Sequence, residues 1–297
     1  MITDRAADAS AEAPVEASAD ASGGRPAEST AESTAVRTAD RTADRTAEPG
    51  ARHTAGRLAG RTAQRLRRRV DSTDWSALAG ELDAHGCAPT PQLLTPAECG
   101  ELAALFDEPA RFRTTVDMAR HRFGSGRYRY FTHELPEAVR ALREALYPHL
   151  LTIARTWADR LGRPAPWPDT LGEWLARCHA AGQDKASQIL LRYQAGDWNA
   201  LHRDLFGDLV FPLQVVIGLD RYGRDYTGGE FLLVEQRPRA QSRGTAAVLE
   251  QGHGLVFTTR DRPVRSARGW SAGPVRHGVS TVRSGRRHAL GLVFHDA

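Results

Sequence analysis

The chain has few cysteines and no long apolar segment. Its three cysteines, Cys87, Cys99 and Cys178, are too far apart to form a CxxC metal-binding pair. A small, odd number of scattered cysteines predicts free thiols in a cytoplasmic protein and argues against a disulfide-rich secreted one. No segment is long and apolar enough to cross a membrane, so we expect no membrane partner. The first residues also lack the apolar core of a signal peptide.

Large apolar residues are scarce in the first 65 residues. Ala-Glu-Ser-Thr occurs twice in succession at 27–34, and 9 arginines nearly balance 10 acidic residues. Such a segment buries too little apolar surface to offset the entropy lost on ordering. Residues 1–68 are therefore predicted to be a disordered low-complexity tail, or else the product of a mis-assigned translation start.

Residues 69–185 are predicted to form a mainly helical support region. Asp74 can cap a first helix, and the capping box from Thr95 to Glu98, with Pro96 in the first turn, can open a second. Two further amphipathic patterns begin at Pro136 and Leu171. The expected helices cover 75–85, 96–106, 136–161 and 171–181.

Residues 186–297 are predicted to form a β-rich core. Short apolar runs with turn signals between them are typical of strands. The runs lie at 189–193, 201–205, 211–219, 230–234, 246–249, 254–259, 275–282 and 287–294. Seven or eight such strands indicate a jelly roll or barrel. The predicted fold class is α+β, with the helical half packed on a jelly roll.

The tripeptide His202-Arg203-Asp204 is a candidate metal-binding motif. Residues two apart on a strand project from the same face, so His202 and Asp204 can approach one ion. His277, from another strand, would complete the set. Two imidazoles and one carboxylate that leave open positions are typical of non-haem Fe(II) oxygenases. Zinc is the competing metal, although it usually takes thiolates or a third histidine.

Other assignments of these histidines stay open. His202 could be an ordinary core histidine with satisfied hydrogen bonds. His253, His288 and His295 are alternatives to His277. His295 lies next to the chain end, His288 should face away from the side of Arg287, and His253 resembles a turn residue, so each fits less well than His277.

Arg287 follows His277 by ten residues and is the candidate anchor for an acidic ligand. If Ser284-Gly285-Arg286 formed a three-residue hairpin loop, Arg287 would pair with Arg283 and face the same side as His277. Gly285 suits the left-handed position of such a loop. The alternative is a surface arginine in an arginine-rich segment. We predict that the side chains of His277 and Arg287 both point into the barrel.

The chain resembles the 2-oxoglutarate and Fe(II)-dependent dioxygenase superfamily over about residues 70–297. The matching positions, in order, are Tyr193, Gly196, His202, Asp204, Gly228-Gly229-Glu230, His277, Gly285 and Arg287. Three further segments are similar to a prokaryotic AlkB-like family that acts on damaged nucleic acid. These segments are 112–120, 236–243 and 294–297.

The resemblance implies that His202, Asp204 and His277 hold Fe(II) and act as the catalytic centre. Arg287 would bind the distal carboxylate of 2-oxoglutarate, because a planar guanidinium meets a carboxylate with two parallel hydrogen bonds. Tyr193 would donate a further hydrogen bond to this cosubstrate, although a tyrosine on a half-buried strand is also ordinary. With O2 as the oxidant, the implied reaction hydroxylates a substrate C–H bond and releases succinate and CO2.

Arginines and aromatics alternate from Arg122 to Phe131. This pattern could bind a nucleic-acid strand, or it could be a glycine-hinged strand with Tyr128 and Tyr130 on one face. Residues 235–287 add 11 arginines against 3 acidic residues, a net charge of +8 that predicts a basic patch beside the site. The chain has one lysine, Lys185, so its arginine content could be a compositional habit.

Three functions remain open from the sequence. The first is an oxygenase that demethylates alkylated nucleic acid by oxidation. The second is a hydroxylase, similar to prolyl hydroxylases, that acts on a protein or small molecule. The third is a cupin-like scaffold that binds a metal or ligand without catalysis. Arg287 argues against the scaffold, because a simple binding module needs no carboxylate anchor at that position.

Overall fold

The computed structural model describes residues 49–205, 207–236 and 241–297, with side chains from residue 60 onward. Short 3-10 turns accompany the α-helices in the first half of these residues. The α-helices are α1 (Pro49–Asp71), α2 (Trp75–His85), α3 (Pro96–Ala104), α4 (Glu137–Arg160) and α5 (Leu171–Ala180).

Fourteen strands occur among the described residues. They are β1 (Cys87–Gln92), β2 (Phe112–Asp117), β3 (Gly124–Ser125), β4 (Arg127–Phe131), β5 (Ile189–Gln194), β6 (Trp198–His202), β7 (Leu213–Gly218), β8 (Tyr226–Gly228), β9 (Phe231–Glu235), β10 (Arg243–Ala247), β11 (His253–Thr258), β12 (Asp261–Ser266), β13 (Gly269–Val279) and β14 (Val282–Leu292).

The strands form two antiparallel sheets. The larger sheet has the order β1-β11-β7-β14-β5-β4-β2, with β8 also paired to β14. The smaller sheet has the order β10-β9-β13-β6-β3, with β12 paired to β13. Eight strands, β5, β6, β7, β9, β10, β11, β13 and β14, divide equally between the sheets. The chain crosses between the sheets at nearly every step, which is the jelly-roll connectivity that the sequence predicts.

One apolar core joins the helical half to the jelly roll. Leu142 and Leu146 of α4 are fully buried in the same cluster as Leu190 of β5 and Leu290 of β14. The helices therefore cover the outer face of the larger sheet, and its inner face is left to the smaller sheet. This core is continuous across the predicted domain boundary between residues 185 and 186. That boundary therefore stays a prediction.

Helix α1 corrects the predicted extent of the disordered tail. The prediction ran from residue 1 to residue 68, but residues 49–71 are helical. Leu66 and Val70 are fully buried, and α1 packs against α4. Apolar residues this sparse still anchor a helix when a long partner helix covers them. The part of the prediction that concerns residues 1–48 lies outside the described residues.

The predicted support region also contains strands, of which the sequence pattern indicated only the segment that includes β4. β1 extends one edge of the larger sheet by pairing with β11, and β4 pairs with β5 to extend the other. Pro89 and Pro91 in β1 hide its strand character, yet prolines are tolerated on an edge strand that lacks a second neighbour. The four predicted helices are present within a few residues of their expected bounds.

Cys87, Cys99 and Cys178 are free, as predicted, and all three are buried. Burial raises the pKa of the Cys87 thiol to about 11 and that of Cys99 to about 12, so both are protonated at neutral pH. The predicted cytoplasmic location stays a prediction. Within the described part of the chain, no helix combines the length and the apolar character that a membrane span requires.

Candidate metal centre

A cavity lies between the two sheets of the jelly roll, and all the predicted site residues line it. The cavity volume is about 140 Å³. The larger sheet contributes Tyr193 and Arg287, and the smaller sheet contributes His202 and His277. Asp204 follows β6 and completes the predicted set. Apart from these residues, the walls are mostly apolar.

A bulge in β6 aims His202 into the cavity. His277 pairs with His202, and Val279 pairs with Asn199, so three steps along β6 oppose two steps along β13. The extra residue lets Asn199 and His202 both face inward, although residues three apart on a regular strand face opposite sides. The bulge needs Gly278 opposite it, because a Cβ there would lie 2.7 Å from the carbonyl oxygen of Asn199.

The three predicted ligands come together in the structure. Nε2 of His277 lies 3.2 Å from one Asp204 carboxylate oxygen, and Nε2 of His202 lies 3.4 Å from the other. All three ligand atoms lie within 4.8 Å of one another. Nδ1–H of His202 donates to the carbonyl oxygen of Ala200 at 2.7 Å, which leaves Nε2 free to face the other two ligands.

The charges of the three groups suit a divalent cation. Burial raises the pKa of Asp204, but the two imidazoles outweigh burial and bring this pKa well below its usual value. Burial lowers the pKa of His277, and His202 lowers it further. Burial also lowers the pKa of His202, but Asp204 outweighs burial and the net shift is upward. An ionised carboxylate and a neutral imidazole are the protonation states that bind a metal.

The donor set fits iron. Bonds of about 2.1 Å at right angles would place neighbouring ligand atoms about 3 Å apart, close to the separations between Asp204 and the two histidines. Two histidines and one carboxylate on one side of the cavity leave the opposite side open for other ligands. The residues present therefore fit a mononuclear Fe(II) ion.

The alternative histidines lie elsewhere. His253 is on β11, where its Nδ1 lies 3.1 Å from the carbonyl oxygen of Thr90. His288 pairs with Asp220 at 2.9 Å, on the opposite face of β14 from Arg287. His295 is fully buried, and its Nδ1 accepts from the backbone N–H of Phe211. None of the three lines the cavity.

Arg287 lines the cavity and has unused hydrogen-bond donors. Its side chain is 1 % exposed, and its Nε and Nη2 have no partner. The guanidinium lies over the Tyr193 ring, with Cζ 5.4 Å from the ring centre. Gly229 makes room for it, since a Cβ there would lie 2.9 Å from Cδ of Arg287. A buried guanidinium with free donors is suited to an anionic ligand that enters the cavity.

Tyr193 and Asn199 border the same end of the cavity. Tyr193 is fully buried, and Nδ2 of Asn199 lies 3.4 Å from its hydroxyl oxygen. Burial raises the pKa of Tyr193, so the hydroxyl keeps its proton and can donate a hydrogen bond. No sequence pattern singles out Asn199, because its side chain faces inward only through the bulge.

The predicted hairpin around Gly285 is wrong, although the predicted face of Arg287 is right. β14 runs without reversal from Val282 to Leu292, and it pairs with β8, β5 and β7 but not with β13. Gly285 does have a left-handed backbone, with φ 77°. It needs this glycine because a Cβ would lie 2.0 Å from the carbonyl oxygen of Asp225. Arg287 pairs with Tyr193 of β5, and directly paired residues of antiparallel strands face the same side of the sheet. Arg287 therefore faces the cavity together with Tyr193.

The segment from Arg122 to Phe131 forms part of the cavity wall. Tyr128 and Tyr130 both line the cavity, with ring centres 5.5 Å apart, in agreement with the predicted glycine-hinged strand. Arg122 and Phe123 lie at the mouth, where the backbone N–H of Ala200 donates to the Phe123 carbonyl at 2.6 Å. Trp198 and Leu201 are about two-fifths exposed on the neighbouring strand.

Among the described residues, the predicted basic patch does not form at the cavity. Arg237 and Arg239 lie outside the described residues. Of the other nine arginines in 235–287, only Arg287 lines the cavity. Arg262 is buried in a 2.6 Å ion pair with Glu235. Counting charges along the sequence could not show this, because β12 and β13 carry their arginines away from the site.

Gly278→Ala tests the role of the bulge. The added Cβ would push against the carbonyl oxygens of Asn199 and Ala200, so we expect His202 to move and the affinity for Co(II) to fall about 10- to 100-fold. Equilibrium dialysis of the purified protein measures this affinity. Gly244→Ala on β10 is the matched control, because nothing lies within 4 Å of its Cβ position. Equal Co(II) affinity in both variants would contradict the role given to the bulge.

Comparisons with known proteins agree with this site. Residues 126–297 match a protein family described as an oxygenase catalysing oxidative methylation of damaged DNA. An uncharacterized protein of Mycobacterium tuberculosis is 59% identical over 204 residues, which cover 64% of this chain and 88% of that protein. The corresponding protein of a second strain matches equally well.

Solved structures of oxygenases also resemble the chain. A prolyl-4-hydroxylase of Pseudomonas putida is 16% identical, with 75% of this chain and all of that chain covered and a TM-score of 0.44. An oxidoreductase of the 2OG-Fe(II) oxygenase family from Burkholderia pseudomallei is 19% identical, with 76% and 94% covered and a TM-score of 0.42. The family match spans more than half of the chain. The chain therefore belongs to this oxygenase family.

Proposed function

We propose that this protein removes methyl groups from damaged nucleic acid by oxidation, with His202, Asp204 and His277 as the ligands of Fe(II). The observation that carries the proposal is the buried guanidinium of Arg287, whose free donors face the same cavity as the three ligands. A metal site alone fits many functions. A metal site with a candidate anion anchor in the same cavity fits an enzyme that uses an acidic cosubstrate.

Arg287 and Tyr193 hold 2-oxoglutarate in this proposal. Arg287 binds the distal carboxylate with two charge-assisted hydrogen bonds, and the Tyr193 hydroxyl donates to the same group. Asn199 keeps the Tyr193 hydroxyl in place through its 3.4 Å contact. Both anchoring side chains are almost fully buried, so they lose little conformational freedom when the cosubstrate binds.

The bound iron and 2-oxoglutarate supply the oxidising power, since O2 and 2-oxoglutarate are converted to succinate and CO2 while one substrate C–H bond becomes C–OH. The protein contributes orientation and a dry site. Phe231 and Phe257 pack on the His277 ring at 5.6 and 4.8 Å, which keeps water from that side. When the oxidised carbon is an N-methyl group, the hydroxymethyl product breaks down to formaldehyde and the free base.

The mouth of the cavity supports a nucleic-acid substrate. Arg122 is exposed there with a left-handed backbone, and the aromatic rings of Tyr128 and Tyr130 line the wall inside. A cation at the entrance can contact a phosphate, and aromatic rings can stack on a base. The printed description of the matching family, which names damaged DNA, points the same way. We keep hydroxylation of a protein or small molecule as the alternative that the experiment must exclude.

Formaldehyde release tests this function. We expect the protein with Fe(II), 2-oxoglutarate and O2 to release formaldehyde from single-stranded DNA that carries N-methylated bases. Formaldehyde and succinate should rise together, and unmethylated DNA of the same sequence is the control. If only a peptide, amino acid or other small molecule stimulates succinate formation, the nucleic-acid assignment is wrong and the alternative hydroxylase is right.

A further inference from the structure

Gln214 of β7 lines the same cavity as Arg287 and also has an unused hydrogen-bond donor. Its side chain is 4 % exposed, it lines the cavity, and its Nε2 has no partner. Several buried polar atoms in the described part of the chain lack a partner. Among them, only those of Arg287 and Gln214 belong to residues that line this cavity.

Leaving a buried amide N–H unpaired costs free energy, so such a group in a binding cavity indicates a ligand that pairs with it. The same reasoning supports a carboxylate at Arg287. Gln214 differs because its amide is neutral and its surroundings are apolar, with Val216 next to it on the inner face of β7 and Phe257 paired to it on β11. A carboxylate would lose its hydration there without gaining a cation, so a neutral acceptor is favoured.

The cosubstrate is not the ligand assigned to Gln214. Gln214 precedes Val215, which pairs with Leu292 near the end of β14. Arg287 lies six residues before Val293, roughly 20 Å of backbone at strand geometry. The guanidinium that binds the distal carboxylate and the amide of Gln214 therefore belong to different parts of the cavity wall. The acceptor for Gln214 is assigned to the substrate.

The position of Gln214 relative to the metal ligands fits substrate recognition. Its partner Phe257 has its ring 4.8 Å from that of His277, so one side chain separates Gln214 from a metal ligand. Tyr128 and Tyr130 also line the cavity. They belong to β4, which is separated from β7 by β14 and β5 in the larger sheet. The space between these aromatic walls suits a flat ring with an acceptor on its edge.

We infer that Gln214 selects the methylated base by donating a hydrogen bond from Nε2 to a ring carbonyl oxygen. This inference rests on the proposed function and narrows it. Cytosine, thymine and guanine carry a ring carbonyl, whereas adenine carries none. A base without the carbonyl leaves the amide of Gln214 unpaired, which is how a buried donor rejects a ligand that lacks its acceptor.

Gln214→Met tests the inference, because methionine has a similar length and no donor. The probes are two single-stranded oligonucleotides of the same sequence, with one 3-methylcytosine or one 1-methyladenine. We expect the wild-type protein to prefer 3-methylcytosine in formaldehyde release. The substitution should lower kcat/KM for 3-methylcytosine about tenfold or more and leave kcat/KM for 1-methyladenine unchanged.

Two further measurements separate recognition from folding. Succinate formed without any substrate should change less in Gln214→Met than formaldehyde release from 3-methylcytosine does, because the groups assigned to iron and 2-oxoglutarate do not include Gln214. The melting temperature of Gln214→Met should equal or exceed that of the wild type, since an unpaired buried donor is removed. Gln92→Met, on the exposed part of β1 in the same sheet, is the matched control and should change neither substrate preference nor stability.

The outcomes distinguish the two proposals. Formaldehyde from the wild type, with both oligonucleotides affected equally or not at all by Gln214→Met, would overturn the role of Gln214 and leave the proposed function standing. A lower melting temperature with equal losses on both probes would show a structural role only. No formaldehyde from either probe, together with succinate formation that only a peptide stimulates, would overturn both proposals.

Discussion

Asp204→Ala is expected to abolish iron-dependent turnover of 2-oxoglutarate. Asp204 is the one carboxylate among the three ligands, and its oxygens lie 3.2 and 3.4 Å from the two imidazole nitrogens. Without it, two imidazoles must hold Fe(II) alone, and the negative charge that offsets the cation is lost. Succinate formation should fall by at least about a thousandfold. His202→Ala should behave in the same way.

The control for these variants is His253→Ala. His253 is also a partly buried histidine of the jelly roll, but it lies on β11 and does not line the cavity. Its loss should leave succinate formation unchanged. A readout without turnover is the stabilisation of the protein by Co(II), which should be present in wild type and His253→Ala and absent in Asp204→Ala. Wild-type turnover by Asp204→Ala would remove this residue from the iron site.

Arg287→Ala is expected to weaken 2-oxoglutarate binding while iron still binds. The side chain is 1 % exposed, so the ion pair with a carboxylate forms away from water. Loss of such a pair should cost about 2 to 5 kcal/mol, or a rise in KM for 2-oxoglutarate of roughly 30-fold or more. Arg287→Lys should recover part of the loss, because lysine keeps the charge but lacks the planar fork.

Arg286→Ala is the matched control for Arg287→Ala. Arg286 is the preceding residue of β14, and its side chain is exposed. Titration of 2-oxoglutarate into the Co(II)-loaded protein gives the affinity without turnover. We expect Arg286→Ala to bind as the wild type does. Equal affinity in Arg287→Ala and the wild type would remove the anchor from the proposed site.

The sequence was sufficient to predict that His202, Asp204 and His277 come together, but for a reason that is only partly right. Residues two apart on a regular strand face the same side, which would place His202 and Asp204 on one face. In the structure β6 ends at His202, and Asp204 reaches the site from the residues that follow. His202 itself faces inward because of the bulge opposite Gly278. A bulge depends on two paired strands, so one strand's sequence could not reveal it.

Arg287 shows the same limit in another way. Its spacing from His277 and the family resemblance both indicated an inward side chain, and the structure agrees. The hairpin invoked to explain it does not exist, because His277 and Arg287 belong to different sheets. The alternation of side chains between the two faces of a sheet relates residues only within a strand or between neighbouring strands. It cannot determine which strands of a jelly roll become neighbours.

The elements that the sequence missed depend on contacts far along the chain. β1 pairs with β11, more than 160 residues later, and its two prolines gave no strand pattern. Helix α1 is anchored by α4, although its own sequence is poor in large apolar residues. Gln214 lies in a fully buried strand whose pattern predicts only a core position. Its unused donor is visible only when the cavity is known.

Succinate formation by the purified wild-type protein tests the central claim most directly. The protein is incubated in air with Fe(II) and 2-oxoglutarate, with and without methylated single-stranded DNA, and succinate and CO2 are measured. We predict iron-dependent conversion of 2-oxoglutarate to equal amounts of succinate and CO2, stimulated by the DNA and absent in Asp204→Ala. No succinate under any of these conditions, from a protein that binds Fe(II), would contradict the assignment and indicate a scaffold that holds a metal without catalysis.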